Sequence, residues 1–116
     1  MRMIKIDSGG HFERVDATFE DLRKHFNGSP VEHVKPKRLI EPYCMLCDEE
    51  FLIKEDKPKP NIIGCFLYQT DIHGYPICGD IYIAKDALPE IVGLNDKDIE
   101  IVEKILNTFR KGLGIC

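Results

Sequence analysis

The sequence contains no long hydrophobic run, and this absence excludes a large class of proteins. A membrane-spanning helix needs about 20 consecutive apolar residues, and no stretch of the 116 residues approaches that length. Residues 1–6 are too short and too polar to be the hydrophobic region of a secretory signal. We therefore expect a cytoplasmic protein with no membrane partner.

An excess of positive charge is also missing. The chain has 16 Lys and Arg against 20 Asp and Glu, which gives a formal net charge of -4. Domains dedicated to nucleic acids usually show a basic excess, so this balance argues against a nucleic-acid partner. Two segments with clustered lysine, 35–38 and 54–59, are interpreted as solvated loops rather than as a phosphate-binding surface.

The cysteines do not form a recognisable disulfide framework. Five cysteines are an odd number, and without a secretion signal we expect reduced thiols. Free cysteine is among the most buried residue types and behaves as a small apolar side chain. We therefore interpret these cysteines as part of a hydrophobic core.

The strongest local indication of a metal site is the pair Cys44 and Cys47, because two thiolates at this spacing can share one zinc ion. Cys65, Cys78 or His73 could complete a tetrahedral site. Against zinc, positions i and i+3 of a strand point to opposite faces, and the sequence offers no second closely spaced pair. A zinc-binding domain that uses Cys44 and Cys47, and whose partner could be nucleic acid, is therefore kept as the alternative to buried thiols, and no other cofactor is predicted. Its candidate ligands are Cys44, Cys47, Cys65 and Cys78.

No pattern of a catalytic site is recognisable, and we do not predict an enzyme. A cysteine nucleophile needs a nearby histidine base and an orienting group, and no spacing links any histidine to a thiol. The G-x-G-x-x-G spacing of a phosphate-binding loop is missing as well. A small hydrolase that uses His73 and Asp80 stays open as a third hypothesis, and it requires these residues to meet in a concave pocket.

The hydrophobic periodicity predicts an α+β fold, mainly an antiparallel sheet packed by two helices. Thr18 is expected to cap a helix at about 18–27, and Asn95 or Asp96 a helix at about 96–111. The segment 61–70 is ambiguous between helix and strand, and 71–76 is expected to be a loop. Alternation or continuous apolar runs predict strands at 1–6, 12–16, 31–34, 43–47 and 77–84. We predict one domain over 1–116.

Four fragments of the chain resemble one known family. They are Ala-Thr-Phe-Glu-Asp-Leu at 17–22, Met-Leu-Cys-Asp-Glu-Glu at 45–50, Lys-Pro-Lys-Pro-Asn at 57–61 and Ile-Cys-Gly-Asp-Ile-Tyr-Ile at 77–83. They make the chain similar to the domain of unknown function 3846 family, small proteins of phages and bacterial mobile elements. The resemblance implies that the protein belongs to a phage or a bacterial mobile element, and it implies no activity. We therefore predict a non-enzymatic accessory protein that binds a host protein or a small ligand through its loops.

Overall fold

The computed structural model describes residues 1–50, 58–87 and 89–114. In chain order the described elements are β1 (Arg2–Ile6), β2 (Phe12–Asp16), α1 (Phe19–His25), β3 (Val31–Val34), β4 (Tyr43–Asp48), α2 (Ile62–Leu67), α3 (Thr70–His73), β5 (Ile81–Ala87), β6 (Glu90–Val92) and α4 (Asp96–Gly112).

All strand pairings of the six-stranded sheet are antiparallel. The strand order is β2-β1-β5-β4-β3, and β6 pairs with β5 outside this path. Strand β4, which lies between β5 and β3, is buried along its whole length. This burial explains why its sequence is a continuous apolar run rather than an alternation.

Helices cover both faces of the sheet. On one face, α1 contributes Leu22 to a small cluster that also contains Met3, Leu46 and Tyr82. On the other face, α2 and α4 pack onto a larger cluster that includes Ile4, Ile63, Met45, Ile83, Val102 and Leu106. The α+β prediction is confirmed. None of the helices in the described ranges has the length and apolar character required to cross a membrane.

The two predicted helices are present, and their capping is as expected. The Thr18 hydroxyl accepts a hydrogen bond from the Asp21 backbone N–H, and the Asp21 carboxylate accepts one from the Thr18 backbone N–H. Asn95 and Asp98 form the same reciprocal box at α4. The ambiguous segment 61–70 is resolved as the short helix α2. The predicted loop at 71–76 is partly wrong, because Thr70–His73 forms the single helical turn α3.

The prediction of a strand from residue 77 is also partly wrong, because β5 begins at Ile81. Gly79 adopts a left-handed conformation with φ of 80°, which interrupts an extended chain and suits glycine. Asn61 is fully buried, and its side-chain amide donates to the carbonyl oxygens of Ile6 and Gly79, at 3.0 and 2.8 Å. The buried Asn61 amide thus ties the approach to β5 to the start of α2 and to the end of β1.

Candidate functional site

One cavity in the described structure collects several polar side chains that pair across elements. It has a volume of about 260 Å³ and lies beside the C-terminal end of α1. The β1–β2 turn, the end of β4 and the approach to β5 complete its wall. Its described lining residues are Ser8, His25, Phe26, Asn27, Asp48, Pro58, Cys78, Gly79 and Asp80. We refer to it as the His25–Asp80 cavity.

A short hydrogen bond between two elements is the central feature of this cavity. His25 Nε2 lies 2.7 Å from Asp80 Oδ2. The side chains are 43% and 24% exposed, so both remain accessible to a ligand from the cavity. Lys5 Nζ lies 3.6 Å from the same Asp80 oxygen, and Lys5 lines a neighbouring cavity rather than this one.

Aromatic side chains hold the histidine ring in place. The Tyr82 ring meets the His25 ring edge-on, with centroids 6.1 Å apart and an interplanar angle of 87°. Phe26 contacts both rings at centroid distances of 5.7 and 6.1 Å. Burial, and then the charge of Asp80, raise the pKa of Tyr82 to about 12. Tyr82 therefore stays neutral at physiological pH and acts as packing around the pair.

Local sequence explains how α1 delivers His25 to this position. The helix has only seven residues, and a helix this short depends on its caps and on packing. Asn27 and Gly28 have φ of 56° and 88°, and this left-handed pair ends the helix. His25 therefore lies in the last helical turn, and Phe26 and Asn27 line the cavity immediately after it.

The thiol in the cavity wall is not an activated nucleophile. Cys78 is 7% exposed. Burial, and then the nearby Cys65, raise the pKa of Cys78 above its ordinary value. A reactive cysteine needs a lowered pKa, so this thiol contributes a neutral, weakly polar surface.

A larger depression of about 670 Å³ runs along the exposed side of α4. Arg14 lines this depression, and its guanidinium group is already paired within the protein. Arg14 Nε and Nη2 donate to the Glu103 carboxylate at 2.9 and 2.8 Å. This depression is a surface groove with an internal ion pair. We therefore regard the smaller cavity as the better candidate site.

The four cysteines that sequence reasoning considered as zinc ligands are free thiols. Cys44 and Cys47 lie on opposite faces of β4 and pack into separate apolar clusters. Burial raises their pKa to about 11 and about 12, with smaller contributions from nearby carboxylates. Cys65 Sγ contacts the backbone N and O of Ile77, each at 3.3 Å.

Cys44 and Cys47 thus do not form a joint ligand pair in this conformation. Across residues 1–50, 58–87 and 89–114, no three His, Cys, Asp or Glu side chains converge on a common point suited to a metal ion. Zinc binding stays a prediction, and elemental analysis of the purified protein tests it directly.

His73 and Asp80 share no contact. His73 Nε2 lies 2.7 Å from the Tyr68 carbonyl oxygen, and His73 Nδ1 accepts from the Tyr75 backbone. Asp80 instead pairs with His25. The hypothesis that His73 and Asp80 meet in a concave pocket is therefore wrong, because the histidine that contacts Asp80 is His25.

The basic segment 35–38 is engaged in ion pairs. Lys35 pairs with Glu41 at 2.6 Å, and Arg38 binds the Asp71 carboxylate through two nitrogens at 2.6 and 2.9 Å. The second basic segment, 54–59, lies mostly outside the described residues. Lys35 and Lys37 are exposed, but Pro36 is buried and Arg38 is partly buried, so only part of the segment 35–38 fits the interpretation as a solvated loop.

Sequence reasoning did not single out His25, Asn27 or Ser8. The helix-ending pair at 27–28 was recognisable, and it places His25 in a last turn. The partner of His25 is 55 residues further along the chain, and no local pattern indicates a contact at that distance.

A comparison with known families identifies the family of this chain. The family model described as Domain of unknown function (DUF3846) matches residues 1–110. The chain belongs to this family. The resemblance inferred from the four sequence fragments is thereby confirmed. No curated protein and no solved structure matched this DUF3846 domain.

Proposed function

We propose that this protein is a non-enzymatic binding module that takes a small polar ligand into the His25–Asp80 cavity. The observation that carries the proposal is the 2.7 Å contact between His25 and Asp80 at the wall of a cavity of about 260 Å³. Ligand sites are typically concave and present a few convergent polar groups.

The architecture supports binding better than catalysis. His25 and Asp80 could exchange a proton, but the neighbouring Cys78 thiol has a raised pKa, and catalysis by a nucleophile requires an activated one. His25 lies at the end of α1 and Asp80 directly before β5. These regular elements hold the two side chains at a fixed distance from each other, which favours selective binding.

The cellular setting belongs to the same proposal. We place the protein in the cytoplasm, as an accessory protein of a phage or mobile element. The setting is supported by what the family resemblance implies, and the free thiols of Cys44, Cys47, Cys65 and Cys78 support a reducing compartment. Gene neighbourhoods rich in phage or transposition genes are expected, and neighbourhoods of ordinary metabolic genes would contradict this part.

The binding test is a screen of small polar compounds by amide chemical shifts of the isotope-labelled protein. We expect hits to perturb residues 25–28 and 78–80, and we expect Asp80→Asn to weaken these hits. Asp71→Asn is the matched control, because it makes the same change at a carboxylate that does not line the cavity. Perturbations confined to other regions would refute the proposed site.

The same samples separate binding from catalysis. Each hit is incubated with protein for a day and its spectrum is followed. Unchanged ligand supports a binding module. Steady consumption of a hit, lost in His25→Gln, would show an enzyme and overturn the proposal.

A further inference from the structure

A surface turn around His73 is fastened by hydrogen bonds. Residues 69–75, which we call the His73 turn, contain α3 between two left-handed residues, Gln69 with φ of 63° and Gly74 with φ of 82°. The left-handed region suits glycine, but another residue adopts it only at a cost in free energy. Contacts within the turn therefore have to offset the conformation of Gln69.

Two backbone contacts fix the protonation state of His73. His73 Nε2 lies 2.7 Å from the Tyr68 carbonyl oxygen. Because a carbonyl oxygen accepts but does not donate, Nε2 carries a proton. The Tyr75 backbone N–H donates to His73 Nδ1 at 3.1 Å, so Nδ1 carries none. Both contacts form together only in the neutral ring with its proton on Nε2.

A protonated ring does not fit this arrangement. In the imidazolium both nitrogens are donors, so the Nδ1–H of His73 would face the Tyr75 N–H, and this hydrogen bond would be lost. The contact with Tyr68 would remain. Tyr75 would then be tied to the turn by its carbonyl oxygen, which accepts from Thr70 Oγ1 at 2.6 Å. Protonation thus removes one of two fasteners and keeps the other.

The groups that face His73 make its own protonation the pH-dependent step. The rings of Tyr68, at the end of α2, and of Tyr75 lie at centroid distances of 4.8 and 5.5 Å from the imidazole. Asp71, in the turn itself, interacts with His73 electrostatically. Two nitrogens of Arg38 bind the Asp71 carboxylate and lower its pKa. Asp71 therefore stays ionised between about pH 5 and 8, the range in which histidine titrates.

We infer that the His73 turn is a pH-sensitive latch, in which the neutral imidazole fixes Tyr75 and protonation of the imidazole releases it. The latch acts on the presentation of two apolar side chains, because Ile72 and Tyr75 are 67% and 69% exposed. With the latch closed, both are held in one arrangement on the surface. With the latch open, Tyr75 moves independently of α3. The inference uses contacts outside the His25–Asp80 cavity, so it does not depend on the proposed function.

The first test determines the tautomer of His73 directly. Long-range proton–nitrogen NMR spectra of the isotope-labelled full chain distinguish the two nitrogens of each imidazole ring. At about pH 8, where histidine is ordinarily neutral, we expect the proton on Nε2 of His73. A proton on Nδ1 at this pH would overturn the inference.

The second test measures the release of Tyr75. Exchange of its amide with water is followed by NMR between about pH 8 and 5, and each rate is divided by that of an unstructured peptide at the same pH. We expect protection of this amide to fall about fivefold as His73 takes up a proton, as for the loss of one hydrogen bond. The ring signals of His73 in the same samples report its protonation. Constant protection of Tyr75 while His73 is protonated would overturn the latch.

Two variants assign the response to one histidine. His73→Gln removes the titrating group and should abolish the pH dependence of Tyr75 protection. His11→Gln is the matched control, because it makes the same change at an exposed histidine between β1 and β2, and it should retain the response. A response that persists in His73→Gln would refute the latch. If that variant lacks a native-like amide spectrum, the wild-type tautomer and the wild-type exchange curve decide.

Discussion

Asp98 shows how burial and hydrogen bonding compete at a single residue. It is 8% exposed, and its carboxylate accepts from Tyr43 Oη at 3.0 Å, Lys85 Nζ at 2.6 Å and the Asn95 backbone at 3.0 Å. Burial alone would raise the pKa of Asp98, but these hydrogen bonds outweigh burial and lower it. Burial, and then the contact with Asp98, raise the pKa of Tyr43 to about 12.

We predict that Asp98→Asn lowers the free energy of unfolding by about 2 kcal/mol, because hydrogen bonds to charged groups contribute about 1.5–3 kcal/mol each. Urea unfolding at neutral pH measures this. Glu100→Gln is the matched control, since it makes the same acid-to-amide change at an exposed position of α4, and we expect a change within about 0.5 kcal/mol. Equal effects of the two variants would contradict the role given to Asp98.

The pH dependence of this variant has a defined sign. The pKa of Asp98 is lower in the folded protein than in the unfolded chain. Its stabilising contribution is therefore complete above the unfolded value of about 4 and is lost as pH falls through the folded value. The stability gap between wild type and Asp98→Asn should be constant near neutrality and should narrow in acid. A gap that widens in acid would contradict this assignment.

Asn61 connects three parts of the fold through one buried amide. It donates to the Ile6 and Gly79 carbonyl oxygens and accepts the Gly64 N–H at 2.7 Å. We predict that Asn61→Ala lowers the free energy of unfolding by at least about 2 kcal/mol, because each buried group left unpaired costs about 1–3 kcal/mol. Thermal and urea unfolding measure the loss. The exposed Asn107→Ala should cause no loss, and a similar loss there would argue against this explanation.

At the scale of elements, α1 depends on its first turn. The helix has seven residues, too few to be stable from helix propensity alone. We predict that Thr18→Ala, which removes the side-chain acceptor of the capping box, costs about 1 kcal/mol. Thr108→Ala on the exposed side of α4 serves as the control, because its hydroxyl bonds only within a helix turn. Chemical denaturation of both variants measures the difference.

The same substitution connects α1 to the cavity. Because α1 holds His25 in place, amide hydrogen exchange in α1 should accelerate in Thr18→Ala, and the binding of compounds that perturb residues 25–28 and 78–80 should weaken in parallel. Faster exchange without weaker binding would show that the position of His25 does not depend on this cap.

At the scale of the whole molecule, the sheet encloses two of the cysteines between its helical layers. Cys44 and Cys47 are 1% and 0% exposed, and Cys65 is partly buried. Among the four described cysteines, we predict that iodoacetamide modifies Cys65 first, while Cys44 and Cys47 react only through global unfolding, because burial keeps both thiols protonated and inaccessible. Mass spectrometry of alkylated peptides across a urea series measures this order. Rapid labelling of Cys47 without urea would contradict the described core.

Most of the fold was predictable because its signals are local. Strands β1 to β4 and helices α1 and α4 follow from periodicity, from the Thr18 and Asn95 caps, and from the helix-ending pair at 27–28. The segment of α2 was left open between helix and strand, and α3 and β6 were not predicted, since a few residues do not establish a period. The start of β5 was misplaced because the apolar alternation continues across Gly79, although the backbone there is left-handed.

The sequence by itself therefore determined the class of fold, the two main helices and the apolar nature of β4, because these depend on neighbouring residues. Only the tertiary structure decided the candidate site. The contact between His25 and Asp80 joins residues far apart in sequence, and the buried amide of Asn61 shapes the chain beside it. The opposite orientations of Cys44 and Cys47 follow from the two-residue period of a strand. The apolar clusters into which the two thiols pack depend on which helix covers each face of the sheet.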